Sequence, residues 1–404
     1  MKCAMRLLSV RSLADAQRDL AALGIDPFSL RSFAPKMLYR VVKVDGVNLD
    51  DVALLRKELL ALGGDVAVGR SGVEETGRTT AILMGSDKQM RKLCSFLSGF
   101  QLDFSTFAND LLRLLDNEAN LQRHWHVGGK ILEFSRRLCI MGILNLTPDS
   151  FSDGNRYRSV DEAVERALQM EEDGADIIDV GGESTRPFAP PVSELEELRR
   201  VLPVLEKLNG RLKVPVSIDT YKAAVAREAI AAGAAIVNDV SGFTFDRQMA
   251  ETVAETDAGM VLMHTRGRPH EMQKDTRYKA LVDEVIHDLR AAVGRAVTVG
   301  IDAQRIVLDP GIGFGKDVRG NLEILGRLSE FGVLGRPILI GTSRKGFIGK
   351  VLDRETTERA FGTAATVALA VADGASIFRV HDVREMRDVV DMAFAITRQM
   401  TPPH

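Results

Sequence analysis

The chain has 404 residues, 45% of them hydrophobic, which is ample for two domains with sizeable cores. Lysine and arginine number 53 against 56 aspartates and glutamates, and the net charge of -3 argues against general nucleic-acid or membrane-surface binding while leaving room for a local basic site. The three cysteines, Cys3, Cys94 and Cys139, are scattered and lack CxxC spacing, which speaks against a disulfide framework or a zinc site. No apolar run reaches membrane-spanning length, and MKCAMRLLSV meets Arg11 and Asp15 too soon for a signal-peptide core, so a soluble cytoplasmic protein is expected.

In chain order, residues 1–121 predict a small α/β domain. A short strand is expected near MRLLSV, a helix over SLADAQRDLAALG, a strand at YRVVKV and a helix over DDVALLRKELLALGG. Strands at DVAVGR and TTAILMG follow, then a helix at SDKQMRKLCSFLSGF. The glycines of LALGGDVAVG read as a helix end and a tight turn, since no GKS or GxGxxG pattern makes them a phosphate loop. Residues 122–137, containing His124, Trp125 and His126 in HWHVGGK, are expected as a linker or as the lead into the barrel's bottom closure. A His-x-His pair with no third ligand candidate nearby is a poor metal site.

From Leu138 the pattern changes to apolar runs alternating with helical segments. The runs are LCIMGIL, DIIDVGG, VPVSIDT, AIVNDVS, GMVLMHT, RIVLDPG, PILIGTS and SIFRVHD. Eight βα repeats over about 250 residues predict a (β/α)8 barrel for residues 138–404, in preference to an open doubly wound sheet. In such a barrel the chemistry sits where strands end at the C-terminal face. Those positions are unusually polar here: Asn145; Glu183 to Arg186; Asp219 and Thr220; Asn238 and Asp239; His264 and Arg266; Asp309; Ser343 to Lys345; and Arg379, His381 and Asp382. Each taken alone could be a cap or a surface pair. Eight polar strand ends on one rim point to a site.

The motifs NLTPDSFSDG, GGESTRP, SIDT, NDVSG, LMH, DPGIGFGK, TSRKGFIG and RVHDV stand in the order and at the strand positions of the dihydropteroate synthases, and the barrel resembles that folate-pathway family throughout. The resemblance implies a transferase that joins a dihydropterin pyrophosphate to p-aminobenzoate and releases pyrophosphate. It implies that Asp309 accepts paired donors from the pterin edge, with Asp219 and Asn238 completing that edge, Lys345 serving the acceptor side, and Met263 and Phe314 lining the pocket. A carboxylate facing paired donors is strong, directional recognition in a dry pocket. Arg379 would lie over the pterin face and, with His381, hold the pyrophosphate.

Asn145 would be one ligand of Mg²⁺, with phosphate oxygens and water filling the other positions. Thr185 and Arg186 would order the loops around pyrophosphate and benzoate, and Thr185, Phe314, Ser343 and Gly346 would receive p-aminobenzoate. The loops TPDSFSDGNRY and STRPFAPPVS are expected to be mobile and to close over the reacting centre. The family further implies a homodimer. Three departures stand out: Gly346 where the family commonly has Ser, Phe188 where STRPG is usual, and Asn155 in place of a second glycine. Two rival readings are a corrinoid methyltransferase-like pterin protein, which would give the anion-handling residues no duty, and a non-catalytic pterin sensor.

Overall fold

The computed structural model describes residues 5–69, 77–100, 102–119, 122–147 and 159–398. They fall into two compact units, Met1–Asn120 and Leu121–His404.

In the first unit α1 (Leu13–Ala21) begins at a capping box. The Ser12 hydroxyl accepts the Asp15 N–H at 3.1 Å while the Asp15 carboxylate accepts the Ser12 N–H at 3.0 Å. Helix α2 (Pro27–Met37) is absent from the sequence reading, although its signal is local: Asp26 caps the N–H groups of Phe28 and Ser29, and Pro27 takes the first helical position. The strand expected near MRLLSV does not form. Residues 5–10 have no regular structure, and Met5 and Leu7 are almost wholly exposed. Strand composition is not enough without a neighbouring edge to take the backbone hydrogen bonds.

Strands β1 (Tyr39–Asn48), β2 (Asp65–Val68) and β3 (Arg78–Ser86) form an antiparallel sheet in the order β1-β3-β2. Helices α3 (Leu49–Ala61), α4 (Asp87–Leu97) and α5 (Leu102–Ala119) share a core with it, built on Val42, Leu55, Leu59, Val66, Leu83, Met90, Leu93 and Leu115. Helix α5 was not foreseen either. Its Ala108, Leu111 and Leu115 recur at helical spacing and are buried together.

The second unit opens with residues 122–137, expected as a linker or as the lead into the barrel's bottom closure. They form a hairpin, β4 (His124–Val127) and β5 (Lys130–Glu133), turning at Gly128 and Gly129. Trp125 and Val127 are fully buried in the barrel's own core; the Trp125 indole N–H donates to the Arg305 carbonyl at 2.8 Å, and the Gly128 N–H to Asp257 at 3.0 Å. Arg305 and Asp257 immediately precede barrel strands, so the hairpin packs at the N-terminal end of the barrel. Burial of the Trp125 ring there is worth roughly 2–3 kcal/mol, a gain no solvated linker would have.

Eight parallel strands follow: β6 (Cys139–Asn145), β7 (Ile177–Gly181), β8 (Val216–Asp219), β9 (Ile236–Asp239), β10 (Gly259–Met263), β11 (Ile306–Asp309), β12 (Leu339–Ile340) and β13 (Ile377–Val380). They lie in the order β11-β10-β9-β8-β7-β6-β13-β12, and a bridge from Leu308 to Ile338 joins the two ends. The eight predicted runs are these strands, and the sheet is the expected (β/α)8 barrel. Register sets the site: Asp179 lies beside Ser217, Gly181 beside Asn145 and Asp219, and Asp219 beside Asn238.

Candidate active site

The floor of the C-terminal face is a knot of charge. Arg379 of β13 donates from Nε to Asp179 Oδ2 and from Nη2 to Asp219 Oδ2, each at 2.6 Å, and Asn238 Nδ2 donates to the same Asp179 Oδ2 at 3.2 Å. Asp179 Oδ1, Asp219 Oδ1 and the hydroxyl of Ser217 are buried without a hydrogen-bond partner among the described residues. Burial raises the Asp219 carboxyl well above the usual carboxylate range; Arg379 opposes the shift, while Asp179, Glu197 and Asp239 add to it. Burial works against the Arg379 charge, yet Asp179 and Asp219 outweigh it and leave the guanidinium more firmly protonated than in water.

Beside this knot stands the DPGIGFGK loop. Asp309 Oδ1 accepts the Gly311 N–H at 2.7 Å, and burial pushes its carboxyl up, against the pull of Lys345. Gly311 has to be glycine: φ is +73°, and a Cβ there would lie 1.8 Å from the His264 carbonyl oxygen. Lys345 donates to the Ile312 carbonyl and lies 4.6 Å from the centre of the Phe314 ring, and burial lowers it to about 8. Lys316 pins the loop from within, donating to Gly311 at 3.0 Å and Phe314 at 2.9 Å and meeting His264 Nδ1 at 3.0 Å. Met263 belongs with Tyr221 and Val240 to a small apolar cluster against which Phe314 and Phe245 pack, so two predicted lining residues share one wall.

Across the rim, Asn145 ends β6; its Oδ1 lies 3.6 Å, and Asp219 Oδ2 3.7 Å, from where a Cβ of Gly181 would stand. The absence of that Cβ keeps open the space between the amide and the carboxylate. His381 follows β13 directly and is set by Ser343, whose Oγ lies 2.9 Å from Nδ1 and accepts the His381 N–H at 3.1 Å. Arg379 and His381, expected to act side by side, therefore take separate partners: Arg379 turns to the carboxylates of the floor, His381 to the loop after β12. Thr185 is half-buried and Arg186 exposed, and a turn closes from the Ala189 N–H to the Arg186 carbonyl at 3.1 Å. Of the loop TPDSFSDGNRY, everything beyond Thr147 lies outside the described residues.

Several rim residues serve the scaffold. Glu183 accepts from Tyr221 at 2.8 Å and Lys222 at 2.5 Å, and Asp239 accepts the N–H groups of Ser241 and Phe243, each at 2.8 Å. Arg266 pairs with Glu284 at 2.6 Å and stacks on Tyr278.

Residues 141–381 match the family described as pterin binding enzyme. The chain is 48% identical over 271 residues to the dihydropteroate synthase of Bacillus subtilis, covering 67% of this chain and 93% of that protein. The chain belongs to the dihydropteroate synthase family. A Yersinia pestis dihydropteroate synthase, solved with a sulfonamide drug complex, superimposes with a TM-score of 0.65 at 41% identity over 69% of this chain and all of that one. A probable bifunctional folylpolyglutamate synthase/dihydropteroate synthase of Halobacterium salinarum is 41% identical over 386 residues, 96% of this chain and 46% of that protein. That match must run well into the first unit, which is therefore not peculiar to this chain.

Within the dihydropteroate synthase family the departures become intelligible. Phe188 sits at φ +67°, the left-handed region where glycine is at ease, and its ring is 67% exposed. Its N–H donates to the Pro269 carbonyl at 3.1 Å, tying the loop after β7 to the loop after β10. At Gly346 a Cβ would meet open space among the described residues, so nothing in their packing demands glycine there. Asn155 lies outside the described residues. The residues missed by the sequence reading are Asp179 and Ser217. An aspartate inside the apolar run DIIDVGG was the available signal.

Proposed function

We infer that the protein is a dihydropteroate synthase, condensing 6-hydroxymethyl-7,8-dihydropterin pyrophosphate with p-aminobenzoate. The amine nitrogen attacks the exocyclic methylene carbon, the bond from that carbon to the diphosphate oxygen breaks, and the amine gives up a proton to form 7,8-dihydropteroate. The observation that carries the reading is the buried Asp219 carboxylate oxygen, without a donor among the described residues, beside the cations Arg379 and Lys345. A buried acceptor costs free energy until a donor reaches it, and a flat heterocycle edged with amino and N–H donors supplies several at once.

In this reading Asp309 and Asp219 accept from the pterin, Asn238 completes its edge, Lys345 donates to its acceptor side, and Met263 and Phe314 flank the ring. Arg379 lies over the pterin face and, with His381, meets the diphosphate, with Thr185 and Arg186 at the loop above. Thr185, Phe314, Ser343 and Gly346 receive the benzoate. The attacking amine is uncharged near neutral pH, so the site needs orientation and charge balance more than a general base.

No group of three or more His, Cys, Asp or Glu side chains able to hold a metal is found among the described residues. In this reading Mg²⁺ comes in with the diphosphate and Asn145, whose amide ends β6, is the protein's ligand to it. When bound, the ion would neutralise charge on the departing pyrophosphate.

The homodimer is supported by exposed apolar side chains on two helices near the end of the barrel: Phe361 and Leu369 on α13 (Ala360–Ala372), and Met392 and Ile396 on α14 (Val383–Arg398). No described helix is long and apolar enough to cross a membrane. The test is to mix the purified chain with the pterin pyrophosphate, Mg²⁺ and p-aminobenzoate. Coupled product with equimolar pyrophosphate is expected; a folded sample that binds pterin yet yields neither would leave a sensor.

A further inference from the structure

The reaction gives Asp179 no task, yet no residue in the barrel is more completely enclosed. It is fully buried on β7, and its Oδ2 accepts from groups on two strands that β7 does not touch: Arg379 reaches it across β6, and Asn238 across β8. Branched apolar residues usually fill a barrel interior. A buried ion pair is seldom worth more than well-packed apolar side chains of the same volume, so stability does not account for a carboxylate at this point. Its second oxygen lies without a partner among the described residues.

Resting on the function inferred above, we propose that Asp179 is a positioning residue of the pterin site: it locks the Arg379 guanidinium over the pterin face and the Asn238 amide at the pterin edge. One oxygen receiving both donors fixes the distance between a cation and a pterin-binding amide that belong to strands on either side of it. Its charge matters as well. Asp219 faces Arg379 and Lys345 as cations and Asp179, Glu197 and Asp239 as anions, with burial the largest influence on it. Removing the Asp179 charge takes away one repulsion, so Asp219 ionises at lower pH.

The experiment is calorimetric titration of 6-hydroxymethylpterin into the full chain and its Asp179→Asn variant between about pH 5 and 9, with thermal unfolding to confirm the fold. The variant is expected to bind about tenfold or more weakly at the alkaline end, because a neutral amide holds Arg379 and Asn238 less firmly than a carboxylate. The pH midpoint of binding should also move down, reporting the charge lost beside Asp219, while weaker binding in a variant that melts like the parent is what a purely structural role would not produce. Asp179→Glu keeps the charge and displaces it by one methylene; it should bind weakly with the midpoint unmoved, and it carries the test if the amide variant does not fold. Wild-type affinity and midpoint in a folded Asp179→Asn, or wild-type affinity in Asp179→Glu, overturn the assignment. Failure of the unsubstituted chain to bind the pterin would sink the functional reading and this inference together.

Discussion

The ammonium of Lys345 lies 4.6 Å from the centre of the Phe314 ring, with Asp309 the first of the charges that favour its protonation. Burial wins over that support and lowers the group to about 8. Lys345 is thus a cation below that pH and a neutral amine above it, and only the cation fits its proposed part as a charged donor to the pterin. The second-order rate constant for the pterin substrate is therefore expected to fall about tenfold per unit above pH ~8, with Lys345→Arg slower but free of this alkaline limb. A wild-type profile flat to about pH 10 would remove Lys345 from the pterin.

Asp309→Asn tests the other side of the same ring. The amide oxygen can still accept the Gly311 N–H now held at 2.7 Å, so the loop should keep its shape. What is lost is charge, and with it the ability to accept two pterin donors. Two charge-assisted bonds weakened by about 1.5 kcal/mol each predict roughly hundredfold weaker pterin binding by calorimetry. Unchanged affinity would place the pterin elsewhere.

The eight barrel strands were legible because parallel strands buried on both faces read as continuous apolar runs, and the rim because polar residues ended each run. Asp309, Asp219, Asn238 and Lys345 came with it. Asp179 did not, for a physical reason: its partners lie 59 and 200 residues away, and no local pattern registers a contact at that range. Nor does a strand end show which way its side chain is drawn. Asp219 goes to Arg379, whereas His264, on the same rim, goes to Lys316 and Asp288. In the first unit, α2 carried its cap and its proline in plain view, and the apolar segment before α1 suggested a strand that has no sheet to join.

Asn145→Ala should raise the Mg²⁺ concentration that gives half-maximal turnover, by about tenfold if one neutral oxygen ligand is exchanged for water. The affinity for pterin without the diphosphate should stay the same, since the amide would serve only the metal. Identical metal titrations for both proteins would dismiss that role.

Phe361 is 90% exposed and Ile396 69%, more than isolated surface residues warrant when Leu369 and Met392 lie on the same two helices. Phe361→Glu combined with Ile396→Glu should halve the mass measured by sedimentation, because burying two carboxylates without partners costs more than a modest interface returns. A dimer that survives both changes pairs through another surface.

Gly346→Ser asks whether the site has room to spare. A Cβ would meet no atom of the described residues within 4 Å, and Gly346 is the first residue of α12 (Gly346–Leu352), where a serine costs the helix less than glycine does. The added hydroxyl would stand beside the proposed benzoate position. One further hydrogen bond, at about 0.5–1 kcal/mol, predicts KM for p-aminobenzoate lowered roughly two- to fivefold. KM for the pterin substrate should not change, because Lys345 keeps its own contacts with Ile312 and Phe314. A raised KM for p-aminobenzoate in a variant that melts like the parent would mean that the carboxylate already occupies that space.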